Sequence, residues 1–410
     1  MARTTVMDVR KVNRSLILKE FYFNGPVTRL DVSRVTKLSP ATVTNIVTDL
    51  LENGILIEEG SLESAGGRPS ILLRVNPEIG FFIGVELGEM DIRTHLYDAY
   101  FLEISRNRIA DLPLDITPQQ LVSNIFSSVT HVLNTAGIKE EEVLGIGIGV
   151  PGIADPVDGV SVFSPNWGWN KINLVDMLHS ITSIPIYIDN GVKALSVAEL
   201  LFGQGKGVEE FAVLMVDTGV GGAIIHNDML QRGGSNSAGE IGHMTLALDG
   251  PECRCGSRGC LEAFVGLNRL YAQFESRLPG ENHSRTYEQL LEYFANYQME
   301  NRPEREIIQT AIHYLGAGIA NLINIENPQR IILGGRLGVL YSQANMNLIL
   351  ATVKKYALAQ SFDFAEICVS TLGEDGIPKG AAAMALIDFF ENVNQEALVM
   401  LGGNRLKRKM

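Results

Sequence analysis

The residues whose types and spacing could do chemistry crowd into one stretch. Glu240-Ile241-Gly242-His243 is followed by Cys253-Arg254-Cys255-Gly256-Ser257-Arg258-Gly259-Cys260-Leu261-Glu262. One imidazole and three thiols make a complete tetrahedral donor set for Zn²⁺. Three cysteines within eight residues, spaced by glycines, cannot pack as a core, and the chain's fourth cysteine, Cys368, stands far away. This is metal-site clustering and not a disulfide framework. With His243, Cys253, Cys255 and Cys260 all used as ligands, no position stays open for water, so the spacing predicts a closed, structural zinc loop. Glu240 and Glu262 flank it. Carboxylates beside a metal-held turn are placed to accept hydrogen bonds from a polyol; as bare sequence they serve equally as surface acids.

A second pattern lies near the start. Val12 with Leu16, and Ile17 with Phe21, are spaced i, i+4, which predicts a helix over residues 12–23 with those side chains inward. Asn24-Gly25-Pro26 ends it. Thr28-Arg29-Leu30-Asp31 has the capping-box pattern and opens a short helix to about Val35. After Thr36-Lys37-Leu38, Ser39-Pro40 restarts a helix with a serine cap and proline at its first position. Val43, Ile46, Val47 and Leu50 form its inward stripe. The opposite face carries Ser39, Ala41, Thr42, Asn45 and Thr48. Small polar side chains there allow a helix to enter a major groove and bond base edges. A β-like pair, 54–59 and 70–75, brackets Gly66-Gly67-Arg68-Pro69. This reads as a wing, with Arg68 suited to a narrow A·T-rich minor groove. The pattern is a winged helix-turn-helix; the bland alternative is a three-helix bundle with a threonine-rich face.

Charge agrees with that split. The 410 residues carry a net charge of -13, yet residues 1–75 hold ten basic and eight acidic side chains. A slightly basic head on an acidic body permits local DNA binding and argues against a chain that binds nucleic acid all over. Hydrophobic residues make up 46% and charged residues 20%, a globular composition. The longest apolar runs, at 144–150 and 211–216, fall short of the roughly 20 residues of a membrane helix. The start, MARTTVMDVRKVNRSL, has no signal-peptide core, so the expected location is cytoplasmic, without membrane contact.

Past Asn76-Pro77 the pattern becomes α/β. Apolar strands are expected at 81–87, 143–150, 184–188, 211–216 and 330–333, several ending in glycine turns, with helices at 118–136 and 192–202. The expected organisation is a winged helix-turn-helix at 1–78, a first α/β lobe at 79–200 and a second lobe with the zinc loop at 201–410, whose last helix can return to the first lobe.

The Glu-x-Gly-His and Cys-x-Cys-Gly-x-x-Gly-Cys-x-Glu pair, with the head in front of it, resembles the ROK family of sugar kinases and repressors, and within it the repressor branch. The resemblance spans essentially the whole chain. It implies a two-lobed fold of the actin/hexokinase type. It also implies zinc on the four ligands above, with His243 linking metal to sugar, and sugar contacts from Glu240, Glu262, Asn166 and Asn190. The partners implied are operator DNA, a second copy of the chain (a homodimer or a dimer of dimers) and a small effector of the xylose, glucose or N-acetylglucosamine class.

Three departures oppose the kinase chemistry. The family's kinases place an aspartate base directly after the asparagine matched by Asn190, and here that position is Gly191. Glu199 supports the register, and Asp189 lies two residues off it. The first phosphate loop reads Glu86-Leu87-Gly88-Glu89-Met90 where the kinases have Asp-x-Gly-x-Thr, and the second begins Asp217-Thr218-Gly219 in place of Gly-Thr-Gly. A missing base costs roughly 10²–10⁴ in rate, and acids in a phosphate cradle repel polyphosphate. The expectation is a sugar-responsive repressor of carbohydrate-use genes that is not an enzyme. Its rivals are an active sugar kinase with a DNA-binding head, and a regulator answering to a phosphosugar or a partner protein.

Overall fold

The computed structural model describes residues 6–62, 69–113, 115–164, 167–277 and 303–392. Arg68, Asn166 and the basic segment 405–409 lie outside the described residues.

The head contains α1 (Val6–Asn24), β1 (Val27–Thr28), α2 (Arg29–Thr36), α3 (Pro40–Glu52), β2 (Leu56–Leu62) and β3 (Ser70–Val75), with strand order β1-β3-β2. Local chemistry sets its corners. Asp31 N–H donates to Thr28 Oγ1 at 3.2 Å, and Thr28 N–H donates back to Asp31 Oδ2 at 3.2 Å, a complete capping box. Ser39 Oγ accepts from the Thr42 N–H at 3.1 Å and starts α3. Val43, Ile46, Val47 and Leu50 are buried beneath it. Arg10 and Arg14 both reach Asp49 and tie α1 to α3.

One expectation fails on α1. Ile17 and Phe21 are fully buried, as their spacing predicts, but Val12 and Leu16 are 58% and 44% exposed. Adjacent residues of a helix project about 100° apart, so the row through 12 and 16 cannot share the buried direction of 17 and 21. The inward stripe is Ile17, Leu18, Phe21 and Tyr22.

The body repeats one topology. The first lobe contains β4 (Phe81–Leu87), β5 (Ile92–Tyr97), β6 (Glu103–Ile109), α4 (Pro118–Ala136), β7 (Val143–Val150), β8 (Ile153–Asp155), β9 (Val160–Ser164), β10 (Trp169–Asn173), α5 (Leu174–His179), β11 (Ile186–Asn190) and α6 (Gly191–Phe202). The second contains β12 (Glu210–Val216), β13 (Val220–His226), β14 (Met229–Leu230), α7 (Glu262–Val265), α8 (Leu267–Arg277), α9 (Pro303–Glu326), β15 (Arg330–Gly334), α10 (Arg336–Tyr356), α11 (Ala359–Phe364) and β16 (Glu366–Val369). Its main sheet runs β14-β13-β12-β15-β16, and that of the first lobe runs β6-β5-β4-β7-β11. Each is an antiparallel meander of three strands extended by two parallel strands on the side of its first strand.

The last helix, α12 (Gly376–Asn392), packs on the first lobe. Glycines at Gly84 and Gly147 let it approach. A Cβ at Gly84 would fall 1.8 Å from Pro378 O, and one at Gly147 would fall 1.7 Å from Ala381 O, distances no side chain survives. The same helix meets the head. Tyr22 lies edge-on to Phe390 with ring centroids 5.1 Å apart and stacks on Tyr100 at 5.4 Å. Head and first lobe therefore share one apolar core. Among the described residues no helix is long and apolar enough to cross a membrane.

Candidate functional site

The metal loop hangs from the second lobe. Its ends are pinned by the Thr245–Cys260 and Glu252–Arg258 bridges, and its turn requires Gly259, where a Cβ would lie 1.7 Å from Ala247 O. His243 Nδ1 is 3.7 Å from Cys253 Sγ, Cys255 Sγ is 3.8 Å from Cys260 Sγ, and the four ligand atoms lie within 4.8 Å of one another. Four ligands about 2.3 Å from a central Zn²⁺ would sit about 3.8 Å apart, so the donor set fits that ion. Burial pushes the Cys253 and Cys260 thiols up; a dication bound here would offset the repulsion between their thiolate forms.

Between the lobes lies a cleft of about 600 Å³. It brings together four of the five sugar-site residues read from the sequence: Asn190, Glu240, His243 and Glu262 all line it. His243 turns Nδ1 to the thiols, while its Nε2 lies 4.0 Å from Glu240 Oε2. Burial raises the Glu240 carboxyl, opposed by His243 and Lys193. Glu262 is held from two sides: its Oε2 accepts from the Val220 N–H at 2.9 Å, and its Oε1 from Arg254 Nε at 2.9 Å. Asn190 is partly committed. Its side-chain oxygen caps α6, accepting from the Val192 and Lys193 N–H groups at 2.8 and 3.3 Å, and its amide donates to Gly152 O at 2.6 Å. One N–H of that amide is left for a ligand.

The kinase-type groups stand differently. Gly191 lines the cleft, but Asp189 does not. Successive strand residues face opposite sides, and Asp189, fully buried, receives Arg232 Nη1 at 2.6 Å. It is an anchored structural acid. Glu199 is likewise buried and accepts from the Gln204 N–H at 2.7 Å. At the far end of the cleft sit Glu86 and Asp217. Burial pushes Glu86 up to about 7 and Asp217 up to about 6, against the pull of Arg93 and Arg336. Glu374 lies 3.6 Å from each of those two arginines. A network of carboxylates and guanidiniums thus lines that end of the cleft.

On the head, Ser39, Ala41 and Asn45 are exposed and Thr42 half-buried, all on the outer face of α3. Ser39 Oγ and Thr42 Oγ1 lie 2.8 Å apart, so their hydroxyls are occupied by the cap. Asn45 is the residue on this face with a free-reaching amide able to bond an adenine edge bidentately. If this face enters a major groove, Asn45→Ala is expected to cost about tenfold in affinity for the cognate DNA, with relaxed preference at one base pair; a binding series over single-base DNA variants checks this.

Comparison with known proteins fixes the kinship. The ROK family model matches residues 82–387. The chain belongs to the ROK family. The xylose repressor of Bacillus spizizenii is 30% identical over 389 residues, covering 94% of this chain and 97% of that one. A ROK transcriptional regulator, described as a homologue of the Escherichia coli MLC protein, superposes with a TM-score of 0.82 at 22% identity, covering 96% of this chain and 99% of that one. A ROK glucokinase from Streptomyces griseus, in complex with glucose and AMPPNP, superposes with a TM-score of 0.62 at 25% identity, covering 75% and 99%. The ROK fold thus accounts for both lobes of this chain, and full-length similarity runs through the head.

Sequence reasoning on this ROK chain missed three contributors. Asn268 and Tyr271, at the start of α8, line the cleft. Arg254 sits between Cys253 and Cys255, two of the candidate metal ligands, and donates to Glu262. The signal for α8 was its position directly after the Cys-x-Glu segment; for Arg254 it was only the charge inside a metal loop.

Proposed function

We propose that this chain is a DNA-binding transcriptional repressor of carbohydrate-use genes, released from its operator by a small sugar that binds between the lobes. The observation that carries the reading is the conjunction, in one chain, of two features. One is an outward helix of small polar residues on a head whose core runs into the first lobe. The other is a cleft lined by Asn190, Glu240, His243 and Glu262. Similarity to a xylose repressor over 94% of the chain supports it. Zinc on His243, Cys253, Cys255 and Cys260 has a structural part: it fixes the loop that presents His243 and Glu262.

The effector is a free sugar of the xylose, glucose or N-acetylglucosamine class. A homodimer reads a palindromic operator, whose half-sites lie about 34–36 Å apart per helical turn. The sugar favours one lobe arrangement over the other, and through α12 and the Tyr22–Phe390 contact a shift of the first lobe moves the head. Fluorescence anisotropy on upstream DNA, at stated salt, with and without D-xylose, D-glucose and N-acetyl-D-glucosamine, tests it. One sugar weakening binding upholds the reading. DNA binding indifferent to every sugar shifts the effector to a phosphosugar or a protein.

The likeness to a glucokinase favours a second reading, an active kinase with a DNA-binding head. Gly191 speaks against it, since glycine takes no proton. A Cβ built there meets nothing nearer than Ile377 Cδ1 at 3.5 Å, so a side chain can start from this position. Gly191→Asp is expected to leave operator affinity unchanged and to give at most trace sugar-dependent ATP turnover, because Asp217 still places an acid at the turn that would cradle phosphate. A coupled ATPase assay on both proteins checks this; robust turnover by the unaltered chain would sink the repressor-only reading.

A further inference from the structure

Arg254 occupies a position that neither metal binding nor sugar binding alone explains. It lies between Cys253 and Cys255, so its backbone is fixed on both sides by the metal loop. Its guanidinium reaches two carboxylates from different lobes. Nε donates to Glu262 Oε1 at 2.9 Å in the second lobe, and Nη1 donates to Glu89 Oε1 at 2.7 Å in the turn after β4 of the first. A third contact locates its plane. A Cβ at Gly219 would fall 2.2 Å from Arg254 Nη2, so the guanidinium lies against the turn between β12 and β13. One planar cation fills the space between the sugar-site acid and both turns that would hold a nucleotide in a kinase of this fold.

We propose that Arg254 is a positioning residue that orients Glu262 for the sugar and, through Glu89, ties occupancy of the cleft to closure of the two lobes. This rests on the sugar reading above. The chemistry runs through shared charge. A sugar hydroxyl donating to Glu262 draws on the carboxylate that Arg254 also uses, and it expels water from the cleft mouth. Both effects strengthen the remaining Arg254–Glu89 pair. That pair is about one-third to one-quarter exposed, with side-chain accessibilities of 36% and 23%. Pairs of this exposure are weak when solvated, which suits a contact that must form and release. Lysine cannot replace arginine here, because a point charge lacks the fork that spans two acids.

The test uses the full-length, zinc-loaded protein and three variants: Glu89→Gln, Arg254→Gln and Arg254→Lys. Zinc content is read by chelator titration, sugar affinity by calorimetry with D-xylose, D-glucose and N-acetyl-D-glucosamine in turn, and operator release by anisotropy. Glu89→Gln is expected to bind the responding sugar within about threefold of the unaltered protein, yet to need about tenfold more of it to release DNA. Arg254→Gln should keep its zinc and lose about thirtyfold or more in sugar affinity. Arg254→Lys should keep zinc, bind sugar at intermediate strength and release DNA no better than Glu89→Gln. Normal release by Glu89→Gln overturns the coupling. Normal sugar affinity in Arg254→Gln overturns the positioning, and so does loss of zinc in step with loss of sugar, which marks a merely structural residue. Absence of any sugar response in the unaltered protein overturns the sugar reading and this inference with it, and that failure is told apart because it appears before any substitution.

Discussion

Chelating the metal is expected to abolish sugar binding while changing operator affinity in the absence of sugar by no more than about threefold, since the apolar core that holds the head contains no residue of the metal loop. In the loop from His243 to Glu262 four side chains that could hold a metal converge on one point. A structural zinc site contributes on the order of 10–16 kcal/mol to the order of its own segment. Without the ion, three thiols and an imidazole have no reason to converge, and burial of Cys253 and Cys260 disfavours their charged forms. The loop carries His243, Arg254 and Glu262 away with it. The head is supported elsewhere. Its core is built from Ile17, Phe21, Val43, Ile46, Val47 and Leu50 and joins the first lobe at Tyr100 and Phe390. Calorimetry with sugar and anisotropy with operator, before and after a strong chelator, measure the two sides. Parallel loss of both would show that head and metal loop unfold as one cooperative unit.

The parts that could be read from the chain share a physical reason: their causes are local. A threonine three residues before an aspartate closes a capping box wherever the rest of the fold lies, and Thr28 with Asp31 does so. Ser39-Pro40 starts α3 for the same reason. The His-Cys cluster is close to self-contained, because three of its four ligands fall within eight residues. What stayed hidden depends on distant partners. Val12 and Leu16 have helical spacing, but which face of α1 is buried depends on the rest of the head and on α12, more than three hundred residues later. Asp189 is removed from any acid–base role by Arg232, which no spacing rule connects to it. Asn190 turned out to spend most of its hydrogen-bonding capacity on capping α6 and holding Gly152, a division of labour visible only in three dimensions. Arg254 is the clearest case: its partners Glu89 and Glu262 are separated by most of the body, and only the fold brings both to one guanidinium.

Glu262→Gln is expected to weaken sugar binding by about a hundredfold, near 3 kcal/mol, because it removes a two-oxygen acceptor from a buried site. Glutamine keeps the shape, so the Val220 N–H at 2.9 Å retains an acceptor and α7 retains its start. The loss is in charge. A carboxylate accepts on both oxygens, whereas an amide presents one acceptor and one donor. With its oxygen turned to Val220, the amide nitrogen faces Arg254 Nε, donor against donor, and the guanidinium keeps Glu89 as its remaining carboxylate partner of the two. Zinc should stay bound, since Cys253 and its fellow ligands are untouched, and operator affinity should be unchanged. The variant therefore becomes a repressor that grips DNA and ignores sugar. Glu240→Gln makes the contrast. Glu240 is more open, with 37% side-chain accessibility against 9% for Glu262, so its exchange should cost only about tenfold. Calorimetry and sugar-dependent anisotropy on the two variants rank them. Equal losses would mean that burial does not set the strength of these acceptors, and a full sugar response from Glu262→Gln would remove the cleft from the mechanism, because no other acid of the metal loop both lines it and is held from two sides.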